Sequence, residues 1–377
     1  MFAAALAMLA LLSGALMAWQ WIAAVRFPLE QRQPLPAITP SVTVFKPVRG
    51  ADAGTRDALA TWLSQTYAGR VEVLFGVADA QDPVVPVIRE LLVAHPSAEA
   101  RLVFCHESTG INRKVNKLVQ MAYHASGDVA IISDADVSAP PDLVAQLIAP
   151  FTDAAVGLVH CLYRFAAAPT LATRWEAFVV NGDFWSQVLQ DHSRRPLHYA
   201  LGAVMAVRRA DLESVGGFAA LANYLADDNR LGRLIVGLGR RTHLCPVVVD
   251  CHAAPAGWQE VWLHQLRWAV TIRVCQPGPY FFSILANGTL WPLLWAALAP
   301  SPLSLGAGLV LALLRIAQGL ALEARFTRRP IWFTHAWIVP LKDLLQVGLW
   351  AAAFLRRHVV WRGVRFRVRA NGRLEPA

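Results

Sequence analysis

The chain has 377 residues, 55% of them hydrophobic and 16% charged, with a formal net charge of +9 at pH 7. This composition, with its positive mean hydropathy, excludes an ordinary soluble enzyme, and the remaining polarity excludes a bundle made only of transmembrane helices. The apolar residues are concentrated near the two ends of the chain. The sequence therefore predicts a globular part between membrane segments.

The first apolar segment lies at the N-terminus. Residues 2–25 contain no charged side chain and are long enough to cross a bilayer. No basic stretch precedes them and no obvious small-residue cleavage site follows, so we predict an uncleaved transmembrane anchor at residues 1–25. Arg26 and Arg32 follow this anchor. The positive-inside rule then places the next part of the chain in the cytoplasm.

Residues 26–278 have a mixed composition that predicts one α/β domain. Short apolar runs predict strands at residues 42–48, 71–78, 101–105 and 129–133, and the segments between them predict helices at 56–65, 84–94 and 113–125. Alternating strands and helices imply right-handed crossovers and a mostly parallel sheet. Ligands of such sheets bind beyond the carboxyl ends of the strands.

Carboxylates follow two of these predicted strands. Asp79 and Asp82 come after the second strand, and Asp134 and Asp136 come directly after the fourth, in "VAIISDADV". Two adjacent carboxylates repel each other and lose hydration unless a cation lies between them. Mg²⁺ or Mn²⁺ uses one or two carboxylates together with substrate phosphates, so this pattern predicts a metal-bound diphosphate. An isolated Asp-x-Asp is more often a turn cap beside a solvated carboxylate.

The C-terminal part, residues 279–355, is the second apolar block. Residues 280–300 and 303–321 predict two membrane spans, whereas residues 331–355 are interrupted by Pro340 and by Lys342-Asp343. This last segment either crosses once or forms a re-entrant or interfacial pair. The second alternative keeps the arginine-rich tail, residues 356–377, on the side of the globular domain, as the positive-inside rule favours. Beside a membrane, such a tail favours anionic headgroups over nucleic acid as its partner.

Several further motifs occur in order along the chain: "FKPVRGAD", "DAQDP", "NRKVNKL", "HYALGAVMAV", "LADDNRLG", "HQLRWAVTIR" and "WRGVRFRV". With the Asp-x-Asp they resemble the ceramide glucosyltransferase family and its bacterial relatives, which include hopanoid-associated glycosyltransferases. The resemblance extends over about residues 42–368. It implies the GT-A fold and inverting transfer from a nucleotide-sugar.

The resemblance assigns roles to the aspartates at the strand ends. Asp82 matches the family's first aspartate and Asp79 is its close neighbour; such residues usually contact the uridine half of a UDP-sugar. Asp134 matches the second aspartate. With Asp136 it would bind Mg²⁺ or Mn²⁺, although not every family member keeps a residue equivalent to Asp136.

The resemblance also assigns the residues that would act on the sugar. Asp228 matches the third aspartate, the general base, and Arg267 and Trp268 match an Arg-Trp pair. His264 stands where the family has Gln or Arg, so its role is open, although an imidazole can donate to a phosphate or sugar oxygen.

Each of these residues also has an ordinary structural interpretation. Asp228 would then be a helix N-cap, although Asp227 can supply that cap instead. Lys114, at a predicted helix start, either offsets the charge of the departing diphosphate or is a solvated lysine. Trp268 is either a site residue or a core aromatic.

We therefore predict a UDP-sugar-dependent hexosyltransferase that acts on the hydroxyl of a membrane lipid. The acceptor is ceramide or, alternatively, a hopanoid polyol that receives N-acetylglucosamine. A processive polysaccharide synthase shares these motifs but needs a longer set of spans, and a non-catalytic receptor would have lost an aspartate. The expected location is the bacterial inner membrane, with the catalytic domain facing the cytoplasm.

Overall fold

The computed structural model describes residues 1–165, 167–252, 256–329, 333–356, 358–361 and 364–376. Its strands are β1 (Val42–Pro47), β2 (Val71–Val77), β3 (Glu99–Phe104), β4 (Val129–Ser133), β5 (Val137–Ser138), β6 (Val156–Phe165), β7 (Val204–Arg208), β8 (Arg241–Cys251), β9 (His358–Trp361), β10 (Val364–Val368) and β11 (Leu374–Pro376). Its α-helices are α1 (Phe2–Arg26), α2 (Thr55–Ala60), α3 (Val84–Ala94), α4 (Arg113–Ala122), α5 (Leu143–Ile148), α6 (Leu171–Phe178), α7 (Trp185–His192), α8 (Arg209–Ser214), α9 (Asp227–Gly237), α10 (Trp258–Cys275), α11 (Pro277–Phe282), α12 (Leu290–Leu298), α13 (Pro302–Thr327) and α14 (Ile338–Leu355).

The main sheet has eight strands in the order β3-β2-β1-β4-β7-β6-β8-β5. The first four strands pair in parallel, with α2, α3 and α4 between them along the chain. Strand β7 runs antiparallel to both β4 and β6. The predicted α/β architecture and its mostly parallel strands are therefore confirmed, and the carboxyl ends of β1, β2 and β4 meet at one edge of the sheet.

Both faces of the central strands are buried. Val44, Phe75 and Ile131 on one face belong to one core cluster, and their neighbours on the other face, such as Phe45 and Ile132, belong to a second. A parallel sheet covered on both faces needs continuous apolar runs rather than an apolar-polar alternation. This explains the uninterrupted runs in the sequence.

Among the described residues, three helical segments are long and apolar enough to cross a membrane: Phe2–Arg26, Pro302–Thr327 and Phe333–Leu355. The span predicted at residues 280–300 is instead a pair of helical segments, Pro277–Ala286 and Leu290–Leu298, bent by 50°. The backbone between them turns at Asn287, whose side chain accepts a hydrogen bond from the backbone N–H of Leu290. This pair is either a broken span or a re-entrant loop.

The final helix, α14, has both of its ends beside the sheet-containing part of the chain. Just before it, His335 Nε2 lies 3.1 Å from Arg174 Nη1 of α6. Just after it, the carbonyl of Arg356 accepts a hydrogen bond from Arg273 of α10. The tail therefore lies beside the sheet-containing part, and whether α14 crosses the membrane or lies at its interface stays a prediction.

A buried network of charged side chains joins these helices. Arg315 of α13 contacts Asp343 of α14 and Asp183 of the π-helical turn between α6 and α7, each at 2.7 Å. Lys342 contacts the same two carboxylates. Removing one partner would leave an uncompensated buried charge, so the network fixes how α13 and α14 pack against that turn.

Candidate active site

The Asp-x-Asp lies in the turn between β4 and β5, at the carboxyl edge of the sheet. Lys46, at the end of β1, is completely buried and donates to Ser133 Oγ (3.1 Å) and to the backbone carbonyl of Asp134. Burial lowers the pKa of Lys46 to about 7, although the charges of Asp136 and Asp134 oppose this shift. The strand end thus positions Asp134, and Lys46 holds its backbone.

Lys114 lies between two of the aspartates. Asn112 begins α4 by accepting hydrogen bonds from the backbone N–H groups of Lys114 and Val115. The Lys114 ammonium then lies 2.7 Å from Asp134 Oδ1 and 3.4 Å from Asp227 Oδ2. Burial alone would lower its pKa, but these two carboxylates raise it above its usual value, so Lys114 stays charged. The interpretation of Lys114 as a solvated side chain is wrong.

The predicted base lies in the first turn of α9. The N-cap position is Ala226 and has no side-chain capping bond, so the capping roles considered for Asp227 and Asp228 are both wrong. Asp227 is buried and faces Lys114 instead. Asp228 is half-buried, and burial together with the charge of Asp227 raises its pKa to about 7. A carboxylate with this pKa is suited to accept a proton near neutral pH.

Gly202 makes room for the Asp228 carboxylate. A Cβ at Gly202, just before β7, would lie 2.7 Å from Asp228 Oδ2 and 3.2 Å from its Cγ. Any side chain there would force Asp228 to turn away. The glycine of the "LGAV" motif therefore permits the observed position of the carboxylate.

Asp79 and Asp82 lie in the turn after β2, at the same edge of the sheet. Asp82 accepts hydrogen bonds from the backbone N–H groups of Gly50 (2.9 Å) and Val84 (3.0 Å). It thereby ties this turn to the glycine loop after β1, where Gly50 has a φ of +72°. Asp79 is exposed, and its carboxylate accepts a hydrogen bond from the backbone N–H of Gln81 (2.9 Å). Its carboxylate is accessible to a ligand.

His264, Arg267 and Trp268 lie on α10. His264 Nδ1 lies 2.6 Å from Glu176 Oε1, so this ring nitrogen donates to the carboxylate and Nε2 is the nitrogen left for another partner. Glu176 is buried in α6 and also accepts from Gln265. The ring of Trp268 lies 5.0 Å from that of His264 and also packs against Tyr163 and Phe184 of the core region. Trp268 is half-buried, so one part of it belongs to the core.

The carboxylates of Asp134 and Asp136 suit a hard divalent cation that also binds a substrate. The pKa of Asp136 is raised by lost hydration of its carboxylate and by the charge of Asp134. This repulsion is what a cation between the two would relieve. Within the described ranges, no group of three or more His, Cys, Asp and Glu side chains is arranged to hold a metal. Phosphate and water oxygens would therefore have to complete the coordination, as is usual for Mg²⁺.

Three residues that the sequence analysis missed help to build the site. They are Lys46, Asn112 and Glu176, and each is buried and acts through a neighbouring residue. Lys46 carries a recognisable signal, since a lysine inside the apolar run "VTVFKPV" has to find a buried partner. Asn112 precedes a helix as N-caps do. Glu176 carries no comparable signal, because its partner is 88 residues away.

The sequence profile described as "Glycosyl transferase family 21" matches residues 3–374. The chain belongs to this family. The family match thus covers nearly the whole chain, including the apolar helices near both ends, and the resemblance identified from the motifs is confirmed.

Curated relatives of this family 21 chain are distant. Ceramide glucosyltransferase 1 of Caenorhabditis elegans is 24% identical over 57% of this chain and 45% of its own length. An N-acetylglucosaminyltransferase of Sinorhizobium fredii is 24% identical over 86% of this chain and 76% of its own length. The chain thus spans less than half of the ceramide glucosyltransferase that it matches.

A solved structure extends the comparison to the fold. The mannosyltransferase PcManGT of Pyrobaculum calidifontis, in complex with GDP-Man and Mn²⁺, matches with a TM-score of 0.56 and 21% identity, over 94% of this chain and 96% of that one. At this identity the likeness concerns the fold alone. It confirms the predicted GT-A fold for family 21 here.

Proposed function

We propose that this protein transfers a hexose from a UDP-sugar to the hydroxyl of a membrane lipid, with inversion at the anomeric carbon. The observation that carries the proposal is the position of Asp228, a carboxylate with a pKa of about 7 beside the Lys114–Asp134 pair. Residues 26–278 would form the catalytic domain, with an anchor before it and membrane helices at 279–355. We place this domain on the cytoplasmic side of a bacterial inner membrane.

Asp228 acts as the general base. As the acceptor oxygen bonds to the anomeric carbon, the carboxylate takes the hydroxyl proton, and the bond between that carbon and the diphosphate oxygen breaks. The electron pair of the broken bond leaves with UDP. Because one displacement occurs, an α-linked donor gives a β-linked product.

Positively charged groups offset the negative charge of the departing diphosphate. Lys114 is held at the helix start by the bond to Asp134, and Arg267 lies on α10 beside His264 and Trp268. A divalent cation held by Asp134 and Asp136 would add charge stabilisation to the diphosphate oxygens. Asp82 and the exposed Asp79 at the neighbouring strand end are assigned to the uridine half of the donor.

Membrane helices support a lipid acceptor. Three apolar helical segments and the bent pair lie next to the sheet-containing part, and α10, which carries Arg267, packs against α14 through Val261, Leu266 and Leu349. A lipid hydroxyl delivered along these helices would reach the site from the membrane side. The likeness to a ceramide glucosyltransferase supports ceramide as acceptor and glucose as the donor sugar.

A second candidate is transfer of N-acetylglucosamine to a hopanoid polyol. Its donor sugar is favoured by the likeness to the N-acetylglucosaminyltransferase of Sinorhizobium fredii, whose match extends over 86% of this chain. The hopanoid acceptor follows from the motif resemblance alone. The two candidates share the same base and the same metal site. They differ only in donor and acceptor.

A matrix of donors and acceptors tests the proposal. The full chain, reconstituted in lipid nanodiscs, is incubated with UDP-glucose, UDP-galactose or UDP-N-acetylglucosamine and with ceramide or a hopanoid polyol, and products are identified by mass spectrometry. We expect one donor–lipid pair to give a glycolipid with wild-type protein, formed roughly two to four orders of magnitude more slowly by Asp228→Asn. Lipid extracts of the host with and without the gene provide the cellular comparison. A soluble polymer as the product, or hydrolysis of the donor alone, would contradict lipid transfer.

A further inference from the structure

The arginine-rich tail folds as a small antiparallel sheet in the order β11-β10-β9. Along β10, Phe366 and Val368 face inward, where they pack in a cluster with Leu225, Val270 and Leu374. Arg365 and Arg367 alternate with them and are exposed. One face of this sheet is therefore packed against the part of the chain that carries the site.

The tail is also bonded to the loop that precedes the base. The backbone N–H of Leu225 donates to the carbonyl of Gly372 (3.1 Å), and that of Leu374 donates to the carbonyl of Asn223 (2.7 Å). Between them, Tyr224 and Arg373 form an antiparallel bridge. The tail thus adds a short strand pairing to residues 223–225, which end two residues before Asp227.

A second set of contacts, from the start of α4, holds the same loop. The backbone N–H of Asn112 donates to the carbonyl of Ala222 (2.8 Å), and its side chain donates to the carbonyl of Tyr224 (3.0 Å). Gly110 approaches so closely that a Cβ there would lie 2.5 Å from the carbonyl oxygen of Ala222. Residues 222–225 are therefore held between the start of α4 and the end of the chain.

We propose that the C-terminal sheet is a positioning element of the transferase site, with residues 372–374 holding the loop at 222–226 so that Asp228 keeps its orientation. This inference rests on the proposed role of Asp228 as the base. In the part of the chain that the structure describes, no hydrogen bond or ion pair joins the tail to Asp79, Asp82, Asp134 or Asp136 at the ends of β2 and β4. Loss of the tail therefore disturbs proton transfer and leaves donor binding in place.

Kinetics of two tail variants test the inference. One is a chain ending at Arg369, which lacks the pairing segment; the other is Leu374→Ala, which keeps the backbone pairing but shortens the contact with Leu225. Glu375→Ala is the matched control, since its side chain pairs with Arg369 at the surface. We measure kcat, the KM for the UDP-sugar, and donor affinity by calorimetry.

We expect truncation to lower kcat by roughly 10- to 100-fold, the scale on which small misplacements of a catalytic group act. Leu374→Ala should cause a smaller fall in kcat. In both variants donor affinity and KM should stay within about twofold of wild type, and Glu375→Ala should resemble wild type throughout. If the truncated chain does not fold, Leu374→Ala alone decides the test.

Wild-type kcat in both tail variants, or a loss of donor affinity that matches the loss of kcat, would overturn the positioning role. Asp228→Asn is measured in parallel. If that variant is inactive while the tail variants are normal, only this inference fails. If Asp228→Asn is fully active, the proposed base fails and the inference fails with it.

Discussion

The ammonium of Lys114 lies 2.7 Å from Oδ1 of Asp134, so a fixed positive charge lies beside the first carboxylate of the Asp-x-Asp. The same ammonium is 3.4 Å from Asp227, next to the proposed base. Lys114 therefore connects the proposed metal site with the proposed base. Its charge also lowers the pKa of Asp228 against the opposing effects of burial and of Asp227.

Replacing Lys114 with Gln should move the pH dependence of transfer. Asp228 is active as the carboxylate, so the rate is high above its pKa and falls as the pH decreases through it. Without the Lys114 charge this pKa rises above about 7, and the acidic limb of the kcat–pH profile should shift to higher pH. Arg113→Gln, an exposed neighbour at the same helix start, is the control and should leave the limb in place. If the acidic limb of the kcat–pH profile does not shift in Lys114→Gln, the charge of Lys114 does not act on the base.

Transfer should require a divalent cation. Excess chelator should abolish turnover, and Mn²⁺ or Mg²⁺ should restore it, since the charge of Asp134 raises the pKa of Asp136 and a cation between the two carboxylates would relieve that repulsion. Asp134→Ala should lose donor binding and transfer together, as followed by calorimetry with UDP. Full turnover of metal-stripped enzyme would argue against the metal site.

Gly202→Ala should lower kcat by displacing the carboxylate of Asp228, without an effect on donor binding. The added methyl group would lie 2.7 Å from Asp228 Oδ2, so the carboxylate has to rotate. A misplacement of this size can cost about 100-fold in rate, while donor affinity should stay unchanged. Gly237→Ala is the control, because a Cβ at that end of α9 meets no atom within 4 Å. Equal activity of the two variants would mean that Asp228 does not need its observed position.

The product linkage should be β. Asp228 is the one carboxylate that we assign to the reacting carbon, and a covalent intermediate would need a second carboxylate as nucleophile. Proton NMR of the anomeric centre in the purified glycolipid distinguishes the two outcomes. An α-linked product from an α-linked UDP-sugar would rule out single displacement.

The central strands and the strand-end aspartates were accessible to sequence reasoning because both are local signals. Runs such as "VAIIS" are buried on both faces, and Asp134 follows such a run directly. The partner of Asp227 was not predictable, because capping preference is local whereas the Asp227–Lys114 contact joins α9 to α4.

The position of the tail was not predictable either. The alternation of arginine with apolar residues also fits a segment at lipid headgroups, and only tertiary packing brings Leu374 to Leu225. The bend at Asn287 likewise depends on a long-range contact, to the carbonyl of Asp343.

Asp228→Asn tests the central claim most directly. Asparagine keeps the shape of the side chain and can still accept from the backbone N–H of Asn229, as Asp228 does at 2.7 Å, but it cannot take a proton from the acceptor. We predict that UDP-sugar affinity, measured by calorimetry, is unchanged and that the rate of transfer falls by roughly two to four orders of magnitude. A variant that binds the donor and transfers it at the wild-type rate would contradict the assignment of Asp228 as the base.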